Sequence, residues 1–362
     1  MNPHVRAIQF DQFHGPVHVR DVPDPTAPDD GVVVQVHATG LCLSDWHAWS
    51  GHDTDITTLP HVPGHELAGT ITQVGPDVTR WHVGDRVTVP FVSGCGTCHW
   101  CRTGQAQVCP HQTQPGFTHW GSYAELVALH AADANLVAVP DDLTLQTAAS
   151  LGCRFATAYR ALAGRAQVTA GEWVVVLGAG GVGLSTVMIA VARGAHVIAV
   201  DRNPTALQAA HHAGAEHTLL TDPTALAAGL DVPAAVHELT GGGAHVAVDA
   251  VGNEQACADA ILSLRRRGRH VQVGLFPPVD GGPRVPMGRV IAWELDLLGS
   301  HGMAAADYPE MLDLVASGAL RPQDLLDRVV GLAEAARLLP TMDTAPRAGM
   351  VVLDPAAPDP RP

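Results

Sequence analysis

The run WVVVLGAGGVGLSTVMIAVA, residues 173–192, constrains the fold of this chain more than any other segment. Its length matches that of a membrane-spanning helix. Its β-branched start and glycine-rich centre instead favour a buried strand, a tight turn and a buried helix. Three glycines of the turn, Gly178, Gly180 and Gly183, have the spacing G-x-G-x-x-G directly between the predicted strand and the predicted helix.

This spacing between a strand and a helix is typical of a dinucleotide-binding loop. The first glycine permits the tight turn, the second lets the backbone approach a pyrophosphate, and the third allows close contact between helix and strand. The phosphates would lie at the N-terminus of the helix, where free N–H groups and the helix dipole favour an anion. The predicted coenzyme-binding residues of the loop are Gly178, Gly180, Gly181, Val182 and Gly183.

The next predicted strand, HVIAV, ends at Asp201, about 20 residues after the loop, where such folds carry an acidic residue. An acid there hydrogen-bonds a ribose 2′-hydroxyl and repels a 2′-phosphate, which favours NAD over NADP. NADP remains an alternative coenzyme because the guanidinium of the neighbouring Arg202 could pair with a 2′-phosphate. Asp201 could also serve only as a cap of the following helix.

The pattern of apolar residues along the sequence changes near residue 155. Residues 5–150 contain short β-like runs separated by Pro, Gly and Asp, whereas later runs such as GAHVIAVD and HVAVDAVG are continuously apolar and alternate with Ala-rich helical stretches. That alternation predicts an α/β fold with a doubly wound parallel sheet. Two helical segments and a last strand follow after about residue 300, and composition leaves open whether they return to the first domain.

Composition excludes several classes of function. The chain has 362 residues, enough for two domains, and a formal net charge of −15, and its one basic cluster, RRRGR at 265–269, is interpreted as a solvated helix end. Nucleic acid is therefore not an expected partner. The absence of lysine excludes Schiff-base and P-loop lysine chemistry. The start of the chain lacks a signal-peptide core, so seven cysteines indicate reduced thiols in the cytoplasm, without a membrane partner.

Four of the cysteines lie in one short loop with the spacing C-x2-C-x2-C-x7-C. Four thiolates at this spacing close a tetrahedral zinc site, with disulfides as the less favoured alternative. A site with four protein sulfurs leaves no position open for substrate, so the predicted role of this zinc is structural. Its ligands are Cys95, Cys98, Cys101 and Cys109.

Cys42, His65 and Cys153 form a second candidate metal set, although they are far apart in the sequence. Two thiolates and one imidazole are the kind of donors that a catalytic zinc uses, with a fourth position open. Taken one at a time, each residue is better interpreted as a buried thiol or a core histidine, so only the three together indicate a metal site.

The order of these motifs resembles a known family. GHE at 64–66 is followed by LAGTITQVG and GDRV, then by the four-cysteine loop, the GAGGVG loop and its downstream acid. The chain is similar to zinc-dependent alcohol dehydrogenases of the medium-chain dehydrogenase/reductase (MDR) superfamily over nearly its whole length. The resemblance implies a GroES-like, β-rich catalytic domain, residues 1–154 and 300–362, and a Rossmann NAD-binding domain, residues 155–299.

The resemblance also implies roles for single residues. Cys42, His65 and Cys153 ligate the catalytic zinc, Glu66 is a near-ligand, and Asp45 orients the histidine. Ser44 and His47 form the proton relay, with the proton passing from a zinc-bound alcohol through Ser44 and the nicotinamide ribose towards His47 and solvent. Residues implied to line the substrate pocket are Phe91, Trp46 and Trp120. Residues implied to contact the nicotinamide are Thr157, Val273, Gly274 and Leu275.

The activity implied is that of an NAD-dependent zinc alcohol dehydrogenase (EC 1.1.1.-), with zinc-alkoxide formation and hydride transfer to nicotinamide. A related polyol or amino-alcohol dehydrogenase, or an aldehyde reductase, is an alternative within the superfamily. A catalytically silent nucleotide-binding protein is a minor alternative. The expected cofactors are NAD and two zinc ions per chain, and the expected assembly is a homotetramer or homodimer.

One departure from the family bears on coenzyme binding. Relatives carry an arginine near the last strand that contacts the pyrophosphate, whereas this chain has Met350 at the aligned place and Arg347 three residues earlier. The departure predicts weaker phosphate contacts and faster release of NADH.

Overall fold

The computed structural model describes residues 4–276, 282–344 and 349–358. Arg347 lies outside these residues. The strands before residue 150 are β1 (His4–Phe10), β2 (Val17–Pro23), β3 (Val32–Gly40), β4 (Glu66–Val74), β5 (Arg86–Thr88), β6 (Leu126–Leu129) and β7 (Val137–Ala138). The later strands are β8 (Trp173–Leu177), β9 (His196–Asp201), β10 (His217–Leu220), β11 (Ala244–Asp249), β12 (Leu264–Gln272), β13 (Asp296–Gly299), β14 (Leu326–Val330) and β15 (Met350–Leu353).

The helices of the first half are short, whereas those of the second half separate successive strands. The former are α1 (Leu43–Trp49), α2 (His99–Arg102), α3 (Ala132–Asn135), α4 (Leu145–Ser150) and α5 (Ala156–Tyr159). The latter are α6 (Gly181–Ala192), α7 (Pro204–His212), α8 (Pro223–Ala227), α9 (Val232–Thr240), α10 (Glu254–Leu262), α11 (Met287–Trp293), α12 (Tyr308–Ala316) and α13 (Leu332–Leu338). Among the described residues, no helix is long and apolar enough to cross a membrane.

Six strands form a parallel sheet in the order β10–β9–β8–β11–β12–β13. Counted along the chain this is the order 3-2-1-4-5-6 of a doubly wound nucleotide-binding fold, which confirms the predicted α/β class. The apolar run at 173–192 is β8 followed by α6, as its glycine-rich centre predicted. Apolar clusters cover both faces of the sheet, so its strands are buried on two sides and do not alternate.

The interpretation of RRRGR as a helix end is wrong. The run lies in β12, whose residues 269–272 pair with both β11 and β13. Pairing on both sides keeps residues 269–272 extended, whereas Arg265, Arg266 and Arg267 lie exposed in an irregular start of the strand, where Arg267 has a φ of 61°. The cluster remains solvated, on a strand.

The other large sheet is mostly antiparallel, in the order β14–β15–β3–β4–β5–β7, with β6 also paired to β3. Its β14 and β15 come from the end of the chain, and β15 pairs with β3 through Val352 opposite Gly40. Strands β1 and β2 form a separate hairpin.

A continuous helical segment connects the two large sheets. It runs through α4, a π-helical stretch at Leu151–Phe155, α5 and a second π-helical stretch at Arg160–Ala166, and ends where Gln167 adopts a positive φ of 51°. Such widened turns are frequent at functional sites. Cys153 and Thr157 lie one turn apart on this segment, so both are positioned by the same helix.

Candidate active site and metal centres

Four buried side chains with metal-binding groups meet at one end of the antiparallel sheet. Cys42 caps α1 just after β3, Glu66 begins β4 directly after His65, and Cys153 comes from the connecting helical segment. Their ligand atoms all lie within 4.8 Å of one another. Strand pairing explains part of this convergence, because Gly40 at the end of β3 lies opposite Glu66 at the start of β4.

The carboxylate of Asp45 organises this centre from within α1. It is fully buried and accepts hydrogen bonds from the backbone N–H groups of Cys42 and Gly64, each 3.0 Å long. It also accepts from the Tyr123 hydroxyl at 2.6 Å and from Nδ1 of His65 at 2.9 Å. The last bond keeps the hydrogen on Nδ1, so Nε2 of His65 is the free ring nitrogen.

The donor atoms fit a zinc ion. Nε2 of His65 is buried without a hydrogen-bond partner among the described residues. The hydrogen bond from Cys153 lowers the pKa of the Cys42 thiol well below its usual range. Burial alone would lower the pKa of His65, yet Asp45 raises it well above its usual range. The first shift favours a thiolate and the second reflects the negative field of Asp45, so both indicate a pocket that attracts a cation. Two sulfurs and one imidazole would leave one position of a tetrahedral zinc for substrate.

Glu66 is held by Arg154, the residue directly after Cys153. One carboxylate oxygen accepts from the backbone N–H and Nε of Arg154, both at 2.9 Å, and the other accepts from Nε at 3.0 Å and from Nη2. Both side chains are buried. Burial raises the pKa of Glu66 even though the arginine opposes the shift. The near-ligand carboxylate is therefore restrained by an ion pair beside the metal centre.

The two predicted relay residues lie on α1, one turn apart. The Ser44 hydroxyl oxygen is 3.7 Å from the Cys42 sulfur. His47 is half-buried, and its Nδ1 lies 3.1 Å from Nδ1 of His52, a residue of the loop after the helix. Burial, and then the charge of His52, lower the pKa of His47. These shifts favour a neutral imidazole that can accept a proton.

Aromatic rings flank the metal centre. The Phe91 ring is 6.0 Å from the His65 ring, centroid to centroid, and the Phe117 ring is 5.3 Å from it on another side. The other two predicted pocket residues make contacts of a different kind. Trp46 packs against the imidazoles of the relay, and the Trp120 indole N–H donates to the carbonyl of Pro60.

The dinucleotide loop has the geometry that its glycines predicted. Gly178 has a φ of 90°, a conformation that favours glycine. A Cβ on Gly183 would clash with the carbonyl oxygen of Gly178, whereas the space around Gly180 is open to a distance of 4 Å. Gly181 and Val182 begin α6, with their N–H groups at the end of the helix that attracts phosphate.

Asp201 ends β9 beside the loop. One carboxylate oxygen accepts from the backbone N–H of Ala179 at 2.6 Å, and the other from that of Asn203 at 2.8 Å. The helix-capping alternative is wrong, because α7 is capped by the side chain of Asn203. The neighbouring Arg202 is exposed.

The residues predicted to contact the nicotinamide come from two elements. Thr157 is buried on α5. Val273 and Gly274 follow β12, and their N–H groups donate to the carbonyl of Asp249 at 3.1 and 2.8 Å. Leu275 is 66% exposed just beyond them. Val273 and Gly274 thus lie at the C-terminal end of β12, in the same parallel sheet as β8, which leads into the dinucleotide loop.

The four-cysteine loop gathers its sulfurs into a second, separate centre. The ligand atoms of Cys95, Cys98, Cys101 and Cys109 lie within 4.8 Å of one another, and all four cysteines are free thiols. The Cys98 sulfur is 3.5 Å from that of Cys101 and 3.7 Å from that of Cys109. Sulfurs around a tetrahedral zinc lie about 3.8 Å apart, so the loop fits a closed metal site.

Sequence reasoning missed four residues of the active site. Tyr123 and Phe117 lie in a loop without a recognisable motif, and no sequence signal indicated them. Arg154 was missed although it directly follows a predicted ligand, and that adjacency was a usable signal. His52 was missed because a histidine in a polar loop of a chain with 21 histidines carries little information.

Comparisons with known proteins agree with this geometry. Residues 28–141 match the family model of the alcohol dehydrogenase GroES-like domain, and residues 181–317 match that of zinc-binding dehydrogenases. An alcohol dehydrogenase of Geobacillus stearothermophilus is 35% identical over 321 residues, covering 88% of this chain and 90% of the relative. Alcohol dehydrogenase 1 of Caenorhabditis elegans is 31% identical over 318 residues, covering 87% and 88%.

The chain belongs to the zinc-dependent alcohol dehydrogenase family. The solved structure of alcohol dehydrogenase TADH from Thermus sp. ATN1 is similar to this alcohol dehydrogenase with a TM-score of 0.86 and 30% identity, over 96% of this chain and 99% of that one. The predicted GroES-like and Rossmann folds and the predicted class, an NAD-dependent zinc alcohol dehydrogenase, are confirmed at the level of the family. The two metal centres agree with two zinc ions per chain.

Proposed function

We propose that this alcohol dehydrogenase reversibly oxidises a small alcohol to an aldehyde or ketone at the centre formed by Cys42, His65 and Cys153. The observation that carries the proposal is the buried set of two sulfurs and one nitrogen, in which Nε2 of His65 has no hydrogen-bond partner among the described residues. This set adjoins the dinucleotide loop, because Arg154, next to Cys153, packs against Gly181. When bound, zinc would lower the pKa of an alcohol, and NAD would accept the hydride.

Residues of the protein orient the histidine ligand and move the proton. Asp45 orients the His65 ring and fixes its tautomer. The Ser44 hydroxyl, close to the Cys42 sulfur, accepts the proton of the alcohol and releases its own proton in the direction of His47. His47 carries it towards solvent, since its lowered pKa keeps its ring neutral and ready to accept.

The lining of the pocket indicates the substrate class. The Phe91 ring lies 6.0 Å from the His65 ring and 5.3 Å from the His301 ring, so an apolar ring lies beside the metal centre. A small alcohol with an apolar substituent is therefore the favoured substrate, and a polyol or amino alcohol is less favoured. Polar substrates would leave hydroxyl or amino groups unpaired against that ring.

NAD is proposed as the preferred coenzyme because of Asp201. Among similar solved structures, one alcohol dehydrogenase is complexed with NADH and another zinc-binding dehydrogenase is bound to NADP, so the family alone leaves the choice open. The carboxylate of Asp201 stands beside the loop, where a 2′-phosphate would be repelled.

The test is an activity screen over alcohols, polyols, amino alcohols and aldehydes with NAD and NADP, together with metal analysis. We expect two zinc ions per chain and the highest kcat/KM with a small apolar alcohol and NAD. Cys42→Ala should abolish alcohol oxidation while the folded protein still binds NADH and keeps one zinc. Full activity in that variant would refute the assignment of the catalytic centre.

We further propose that residues 1–154 and 300–362 form the catalytic domain and residues 155–299 the coenzyme domain. The pairing of β15 with β3 supports the return of the chain end to the first domain.

A homo-oligomer, dimer or tetramer, is proposed because β13 is an edge strand with exposed apolar side chains near it. Leu297 on β13 is 39% exposed and Ile291 on α11 is 75% exposed. Sedimentation equilibrium tests this; a monomer at micromolar concentration would contradict it.

A reducing compartment, the cytoplasm, is proposed for the enzyme. All seven cysteines are free thiols. Six of the eight candidate ligand residues in the two centres are cysteines, and these bind metal only while their sulfurs are reduced. Fractionation of cells followed by activity measurement would test the location.

A further inference from the structure

Arg154 is a buried cation between the metal centre and the dinucleotide loop. Its side chain is 8% exposed, and one edge of its guanidinium, formed by Nε and Nη2, faces the Glu66 carboxylate. The position follows from the chain, because Arg154 directly follows Cys153 on the connecting helix. A guanidinium keeps its charge at every physiological pH, so this cation is permanent.

The other edge of the guanidinium faces the coenzyme loop. A Cβ placed on Gly181 would lie 2.5 Å from Cδ of Arg154 and 3.3 Å from its Nη1. Gly181 is the first residue of α6, where the helix dipole and free N–H groups already favour phosphate. Among the described residues, Nη1 of Arg154 has no hydrogen-bond acceptor, whereas Nε and Nη2 are satisfied by Glu66.

The charges leave room for an anionic ligand. Within the described parts of the chain, Glu66 is the single carboxylate paired with Arg154, and its hydrogen bonds use one edge of the guanidinium only. A dinucleotide carries two phosphate charges to the N-terminus of α6. Planar guanidinium groups bind phosphate with two parallel hydrogen bonds, and the Nη1 side of Arg154 is the edge that remains available.

We propose that Arg154 is a coenzyme-binding residue whose Nη1 edge binds the diphosphate of NAD(H), while Glu66 holds its other edge and positions it. The inference rests on the proposed coenzyme, and it revises the expectation of weak phosphate contacts. Met350 offers no charge at the place where relatives carry an arginine, but Arg154 brings a guanidinium to the same loop from the connecting helix.

The test is direct titration of zinc-loaded protein with NADH and with ADP-ribose, followed by calorimetry. ADP-ribose keeps the diphosphate but lacks the nicotinamide, so its binding does not depend on turnover. Arg154→Gln should lower the affinity for each ligand at least tenfold. The affinities of Arg154→Lys should lie between those of the wild type and those of Arg154→Gln. The matched control is Arg160→Gln, which removes an ion-paired arginine six residues further along the same helix and should change both affinities less than twofold.

Two further measurements keep the test decisive. The double variant Arg154→Gln/Glu66→Gln leaves no unpaired buried carboxylate, and it should bind both ligands as weakly as the single variant. Wild-type affinity in the double variant, or in Arg154→Gln itself, would overturn the inference. If Arg154→Gln does not fold, Arg154→Lys and the double variant decide. Failure of the wild type to bind either ligand would refute the proposed coenzyme, and this inference with it.

Discussion

The Nδ1 atoms of His47 and His52 lie 3.1 Å apart, so one imidazole donates to the other. Burial lowers the pKa of His47 first, and the charge of His52 lowers it further, while Cys42 and Asp53 oppose the shift. The proposed relay therefore ends in a pair of imidazoles, in which the outer ring tunes the proton affinity of the inner one.

Removing His52 should shift the pH dependence of alcohol oxidation. In His52→Gln the pKa of His47 rises, because a repelling charge is gone, so the ring becomes neutral only at higher pH. The acidic limb of the kcat profile should move to higher pH, with little change in KM for NAD. The control is His18→Gln, an exposed histidine on β2. An unmoved limb would exclude His52 from the relay.

Asp45→Asn should weaken the catalytic zinc selectively. The substitution replaces an acceptor of four hydrogen bonds, including that of Nδ1 of His65, by a group that offers one oxygen only. Loss of such a partner typically costs about 10–100-fold in metal affinity. Dialysis against a chelator should leave one zinc per chain, whereas Asp85→Asn, a partly buried control outside both centres, should keep two. Retention of both ions by Asp45→Asn would contradict the orienting role.

Cys98→Ser should affect stability rather than chemistry. The variant loses a sulfur of the four-cysteine centre, so we expect one zinc per chain and a lower Tm, with hydride transfer retained by the folded fraction. Cys257→Ser, at a buried cysteine outside both centres, is the matched control and should keep two zinc ions. A fully stable Cys98→Ser enzyme without turnover would mean that the two metal roles are reversed.

Asp201→Gly should relax the choice of coenzyme. Without the carboxylate, a 2′-phosphate is no longer repelled, so the ratio of kcat/KM with NADP to that with NAD should rise at least tenfold. The double variant Asp201→Gly/Arg202→Gln separates the two residues, because it should lose part of that gain if Arg202 binds the phosphate. A constant ratio in Asp201→Gly would show that Asp201 does not recognise the ribose.

His119 should make the enzyme sensitive to acid. Burial, and then the nearby His130 and His61, lower its pKa to about 4, so the folded state holds it neutral. An unfolded chain protonates it near its usual pKa of 6.5, and stability is therefore lost as the pH falls from about 6.5 towards 4. Urea unfolding of His119→Gln should have a flatter pH dependence across that window. An equal slope in both proteins would exclude this histidine.

Local patterns predicted most of the fold. The strand, glycine turn and helix at 173–192 formed as expected, because their signals lie within a few residues of one another. The four-cysteine loop was equally readable, since its ligands are close in sequence. The RRRGR cluster was misplaced, because strand β12 is fixed by its neighbours β11 and β13 and not by its own composition.

The active site was predictable only through the joint order of its motifs. Cys42, His65 and Cys153 are brought together by strand pairing and a helix, which spacing does not reveal. The partner of Asp45, Tyr123, lies 78 residues away, and Glu66 and Arg154 are separated by 88. Each of these contacts depends on the tertiary structure, so no local pattern indicates them.

The connecting helical segment has a consequence for recombining this enzyme with its relatives. A junction near residue 155 would cut between the sulfur ligand Cys153 and Thr157, within one uninterrupted helix. A chimera joined there would take Cys153 from one parent and Thr157 from the other, so the orientation of these two side chains around the helix would no longer come from one parent. Exchange of coenzyme domains should therefore be made beyond Ala166, where Gln167 ends the helix and the chain turns towards β8.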